Sequence, residues 1–262
     1  MTDIQKLDLG KSGLTAWRTG AGPDLLIVHS LLADYTAFLP VLPWLAARYR
    51  VTLVNLPGFH GSKVIDKGIF NYGDHVAGIM DAAKLADGTT LIANGFGGTV
   101  ALAMALRHGK RFGRLVLSDL AAGFPPQGRA AFEVMATKVT SEGIGSVATI
   151  SAHRVFHEAY LAAHPEAIEQ RRSVLMATAP EAFVAACETL MDTDLVSQLS
   201  DIKNDTLVIC GELDAATPPA LCRQVANNIA GARYIELPNC GHCPPLEQPD
   251  VFISSIAGFL EA

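Results

Sequence analysis

Two residues, each just past an apolar run, are suited to moving a proton. Val208-Ile209-Cys210-Gly211-Glu212-Leu213-Asp214 ends on an acid, and Leu237-Pro238-Asn239-Cys240-Gly241-His242 ends on a histidine. A carboxylate that holds one imidazole nitrogen fixes the tautomer and leaves the other nitrogen free as a general base. Plainer roles exist: Asp214 could cap a helix beginning near Thr217, and His242 could be a satisfied loop histidine. Both nevertheless stand in the frames that base-assisted acyl chemistry uses.

A third segment supplies the place where such a base would work. Leu91-Ile92-Ala93-Asn94-Gly95-Phe96-Gly97-Gly98 follows an apolar run and opens an Ala-rich helix pattern. Small residues at Ala93, Gly95 and Gly97 suit a tight strand-to-helix turn, in which backbone approaches backbone. The central residue of that turn takes positive φ, which glycine adopts at little cost. The expected nucleophile position is therefore held by Gly95, which has no side chain to react. A phosphate-binding loop is the competing reading, but the full G-x-G-x-x-G spacing is absent. The chain order of turn, acid and histidine is the hydrolase order.

His29-Ser30-Leu31, after another apolar run, completes the set. The loop in this place usually gives one oxyanion-hole donor and the residue after the turn gives the other, so the backbone N–H groups of Leu31 and Phe96 are assigned that role. His29 and Ser30 are expected to touch substrate. So is Arg154, whose guanidinium would grip a substrate carboxylate; an exposed helix arginine is its bland alternative. Asp119 is a back-up for the acid. His60 reads as structural, His75 and His108 as exposed helix residues. Nothing distinguishes His153, His157 and His164. Cys240-Gly241-His242-Cys243 has no matching second pair, so no metal site is expected.

The elements that must carry these loops alternate. Apolar, β-branched runs at 25–28, 51–54, 90–93, 115–117 and 207–209, with a weaker one at 233–237, predict strands covered on both faces. Helix-like segments near 35–48, 71–86, 96–108, 218–229 and 248–260 separate them. This order implies a mostly parallel, doubly wound α/β sheet with its chemistry at the C-terminal strand ends. Residues 125–200 break the alternation with helical patterns near 128–140, 144–162, 166–177 and 179–190. Residues 1–124 and 201–262 are thus expected to form the core domain, and 125–200 a helical cap inserted between two strands.

Composition narrows the partners. The net charge is −6 with no basic stretch, which argues against nucleic acid. No apolar run reaches membrane-spanning length. The polar N-terminus has no secretory apolar segment, and the five late-clustered cysteines do not suggest a disulfide framework, so the cytoplasm is the expected location. No cofactor motif is present and none is expected. A homodimer is left open.

Taken together the loops resemble the α/β-hydrolase superfamily over nearly the whole chain. Asn55-Leu56-Pro57-Gly58-Phe59-His60-Gly61-Ser62 is similar to its D-L-P-G-H-G-x-S loop, with Asn55 for the acid, Phe59 extra and the spacer before the serine missing. His29-Ser30-Leu31 and cap segments 163–167 and 185–195 are similar to 3-oxoadipate enol-lactonases. The resemblance implies an α/β-hydrolase fold acting on a small ester, lactone or enol-type carboxylate. Three readings follow from Gly95. The favoured one is a hydrolase or lyase in which Asp214-His242 activates water or substrate directly. The second is an engineered inactive form of a serine hydrolase. The third is a non-catalytic binder of a small ligand.

Overall fold

The computed structural model describes residues 3–261. Its centre is an eight-stranded sheet in the order β1-β2-β4-β3-β5-β6-β7-β8. The strands are β1 (Gln5–Lys6), β2 (Ala16–Thr19), β3 (Asp24–Val28), β4 (Arg50–Val54), β5 (Thr89–Asn94), β6 (Phe112–Ser118), β7 (Asp205–Gly211) and β8 (Arg233–Leu237). β1 and β2 join antiparallel, and the six others run parallel. These six are the six predicted from sequence. All of β3 and β5 is buried, as expected for strands covered on both faces. The two antiparallel strands escaped sequence reading because β1 has two exposed residues and β2 only four.

Helices cover both faces. The core carries α1 (Leu42–Ala46), α2 (Ile69–Ala77), α3 (Ile79–Ala82) and α4 (Phe96–His108). Between β6 and β7 come α5 (Pro126–Glu142), α6 (Ala148–Val155), α7 (Glu158–Ala163), α8 (Glu166–Met176) and α9 (Pro180–Asp192). After β7 follow α10 (Pro219–Asn228), α11 (Pro244–Glu247) and α12 (Pro249–Glu261). Three expected helices are broken: the 35–48 region is a 3₁₀ turn at Tyr35–Phe38 followed by α1, the 71–86 region divides at Gly78 into α2 and α3, and the 144–162 region divides into a 3₁₀ turn, α6 and α7. Pro40 and Pro43 lie inside the first, and a helix cannot accept a proline at an interior position without losing a hydrogen bond. No helix among the described residues is long and apolar enough to cross a membrane.

Strand register positions the site. β3 and β5 are neighbours, with Val28 opposite Ala93. Two residues further along each chain bring Ser30 to Gly95. The loops after β7 and β8 arrive in the same way, since Gly211 lies opposite Leu237. The helical insertion is tied down at two isolated bridges, Phe59 to Thr178 and Gly123 to Asp194.

Candidate active site

The turn at residue 95 has φ 57° and ψ −122°, and α4 begins at the next residue. The close approach inferred from its small residues is real. A Cβ on Gly97 would lie 2.4 Å from the His29 carbonyl oxygen and 2.7 Å from that of Val28. Any side chain there would push the β3 and β5 loops apart.

His242 and Asp214 meet. His242 Nδ1 lies 2.9 Å from Asp214 Oδ2, and both side chains are buried. Asp214 accepts from the Ala216 amide at 2.7 Å, the Thr217 amide at 3.0 Å and the Thr217 hydroxyl at 2.7 Å. Burial on its own would raise the Asp214 carboxyl pKa. The neighbouring His242 and the Thr217 bonds outweigh burial and hold it below the ordinary carboxylate value. With the acceptor-only carboxylate on one side, the proton belongs on Nδ1, and Nε2 is left as an acceptor. The backbone of His242 is fixed as well: its amide donates to the Val155 carbonyl at 2.9 Å, and Asn94 Nδ2 donates to its carbonyl at 2.9 Å. Asp214 therefore both serves His242 and caps the following turn, so the two roles weighed for it coexist.

Nε2 faces Ser30, whose hydroxyl donates to it across 3.2 Å. Ser30, Leu31, Gly95, Phe96, Arg154, Thr217 and His242 share one cavity with apolar walls that include Phe124, Phe132, Met135 and Leu190. Phe96 opens α4, and the first amides of a helix have no intrahelical acceptor. A second hollow of about 240 Å³ is also lined by His242 and Arg154, between α6, α7 and the Asp214 loop.

Arg154 sits where the two spaces join. Its guanidinium carbon is 5.8 Å from the Phe132 ring centroid, and no acid among the described residues pairs with it. Burial lowers its pKa below the ordinary arginine value, and the Asp214 charge partly offsets that.

His29 is a correction to its expected role. It does not line the cavity; it is fully buried beneath the loop. Its Nε2 accepts from the Leu56 amide at 3.0 Å and its Nδ1 faces the Ser30 carbonyl at 2.7 Å. Burial, only partly offset by the bond to Ser30, lowers its pKa to about 4, so the ring is neutral and its proton sits on Nδ1. His29 thus pins the backbone that carries Ser30.

Asp119 is not a second partner for His242. It takes φ 52°, and its Oδ1 accepts from the Gly211 amide at 2.8 Å. Burial, then the charge of Asp214, pushes its pKa well above the ordinary value. A raised carboxyl pKa means that the folded protein holds a proton the unfolded chain has released. This contribution to stability is full below about pH 3.9 and declines as pH rises toward the folded pKa. Asparagine tolerates positive φ and carries no such charge. Urea midpoints of wild type and Asp119→Asn are therefore expected to move apart in the variant's favour between pH 4 and pH 8; parallel midpoints would contradict this.

Sequence reading missed the supports. Asn94 was visible only as a turn residue and Thr217 only as a helix start. His157, undistinguished among the cap histidines, stands 2.5 Å from the buried carboxylate of Glu247. His60 lies 3.2 Å from Asp34, in keeping with a structural role.

Comparison with known proteins adds the family. A family model described as "Alpha/beta hydrolase family" matches residues 25–255. The chain belongs to the alpha/beta hydrolase family. This alpha/beta hydrolase is similar to a pimeloyl-[acyl-carrier protein] methyl ester esterase of Aeromonas hydrophila, with 28% identity covering 93% of this chain and 97% of that one. It is also similar to 3-oxoadipate enol-lactonase 1 of Acinetobacter baylyi, at 23% identity over 92% of this chain and 89% of that one. Among solved structures, the enol-lactonase of Burkholderia xenovorans superposes with a TM-score of 0.87 at 29% identity, covering 95% of this chain and 96% of the other.

Proposed function

We propose that this alpha/beta hydrolase cleaves a small carboxylic ester or lactone that carries a second, carboxylate group, with His242 as base and no serine at position 95. The observation that supports it most is the 2.9 Å contact of His242 Nδ1 with Asp214 while Nε2 faces the cavity. An oriented imidazole with a free acceptor nitrogen takes a proton from an attacking hydroxyl and returns it to the leaving oxygen. The Leu31 and Phe96 amides suit the developing oxyanion, and backbone donors need no particular side chain at 95. The similar proteins named above act on a methyl ester and an enol-lactone.

The apolar walls suit the acyl part, and the unpaired Arg154 suits a carboxylate. The engineered reading is less favoured. Gly95 takes φ 57° at little cost, and a serine there would need the Ser30 hydroxyl to turn aside.

The test is turnover of paired esters and lactones with and without a distal carboxylate, followed by proton release. Absence of His242-dependent hydrolysis across the panel would defeat the proposal. Arg154→Met is expected to raise KM about 10- to 100-fold for carboxylated substrates, the loss of a charge-assisted pair. Neutral analogues should change by less than about threefold, as expected where no such pair exists. An equal effect on both would remove the carboxylate from the substrate class.

A further inference from the structure

A Cβ built on Gly95 would lie 2.0 Å from Ser30 Oγ and 2.8 Å from His242 Nε2. The Ser30 hydroxyl therefore stands almost where a side chain at the turn would begin, and it faces the same imidazole nitrogen. Its donation to Nε2 spans 3.2 Å, within reach of proton transfer. The position is held firmly: the backbone of Ser30 is pinned by His29, itself locked to Leu56. Close packing of the two loops, which glycine at 97 permits, carries residue 30 up to the turn, and the missing side chain at 95 leaves room for it. The expected oxyanion donors, Leu31 and Phe96, line the same cavity as this hydroxyl.

We propose that Ser30 is the nucleophile, displaced from the turn to the neighbouring loop, and that Ser30, His242 and Asp214 act as a triad. This rests on the hydrolytic reading above and names the hydroxyl that the base activates. Ser30 Oγ attacks the ester carbonyl carbon as its proton passes to His242 Nε2. The tetrahedral intermediate collapses by breaking the bond to the alkoxy oxygen, which takes the proton from His242 and leaves as the alcohol. Water then attacks the acyl-Ser30 carbonyl and gives its proton to His242. Breaking the bond to Oγ releases the acid, and the proton returns to Ser30. The sum is ester plus water to acid plus alcohol.

The test treats the full chain with a small alkyl fluorophosphonate, locates the adduct by peptide mass spectrometry, and compares turnover of wild type, Ser30→Ala and Ser30→Cys on p-nitrophenyl esters. The expected result is one adduct on Ser30, a burst of one p-nitrophenol per chain, and a loss on the order of 10⁴- to 10⁶-fold in kcat for Ser30→Ala. Ser30→Cys should keep the burst and accumulate a thioester. His242-dependent turnover with no adduct on Ser30, or with Ser30→Ala within tenfold of wild type, overturns the proposal in favour of direct attack by water and leaves the hydrolytic reading intact. If Ser30→Ala does not fold, the wild-type adduct and the Ser30→Cys thioester decide. No His242-dependent turnover by wild type overturns both.

Discussion

Replacing His242 with alanine is expected to lower kcat for ester hydrolysis on the order of 10⁴- to 10⁶-fold, equivalent to about 5 to 8 kcal/mol of transition-state stabilisation. Its Nε2 is the acceptor directed at the Ser30 hydroxyl, and its Nδ1 already spends its proton on Asp214. His29 cannot take its place, since both its nitrogens are engaged below the loop. The variant should still fold. The bonds that hold this loop to Val155 and Asn94 are made by the backbone of residue 242, and alanine keeps them. Loss of a buried imidazole creates a small polar space beside the cavity, which water can fill. Measuring kcat beside a thermal melt separates the two effects. A folded His242→Ala protein that keeps more than about a tenth of wild-type kcat would remove the histidine from the chemistry, given what a lost general base ordinarily costs.

Asp214→Asn is expected to be nearly as damaging, on the order of 10⁴-fold in kcat, with little change in KM. The reason is the tautomer. An asparagine amide turned toward Nδ1 donates to it, which moves the imidazole proton to Nε2. Nε2 then donates toward Ser30 and can no longer take its proton. The asparagine oxygen still accepts from the Ala216 and Thr217 amides, so the turn into α10 survives. The pH dependence of stability gives a second readout. The carboxyl pKa of Asp214 is held below its unfolded value, so its contribution is present above about pH 3.9 and is lost as pH falls through the folded pKa. Wild type should therefore lose stability more steeply than Asp214→Asn between about pH 4 and pH 2. Identical acid limbs would show that the pair is not formed in solution.

The parts legible in advance are those with local causes. Continuous apolar runs announced the six parallel strands, because a strand buried on both faces has no polar side to present. The triplet of small residues around Gly95 announced the turn, because its backbone has space for nothing larger. Acid and histidine were legible from their place after consecutive strands. Less legible were short elements whose stability comes from partners. β1 is formed by pairing with β2, and β2 by pairing with β4; their residues carry little signal of their own. His29 was misread for a related cause. Its type and loop suggested contact with substrate, whereas the depth of burial and the Leu56 amide that lock it come from elsewhere in the chain.

By itself, the sequence determined the order of the six parallel strands, the sharp glycine turn, and the places of Asp214 and His242 just past consecutive strands; period, propensity and backbone sterics act over a few neighbouring residues and are written there. Only the tertiary structure decided which hydroxyl the histidine faces. Residues 30 and 95 are brought together by the parallel pairing of β3 with β5, and residue 242 by the far side of the same sheet. Distances between side chains across three loops are consequences of sheet register and close packing, which no local stretch of chain encodes alone.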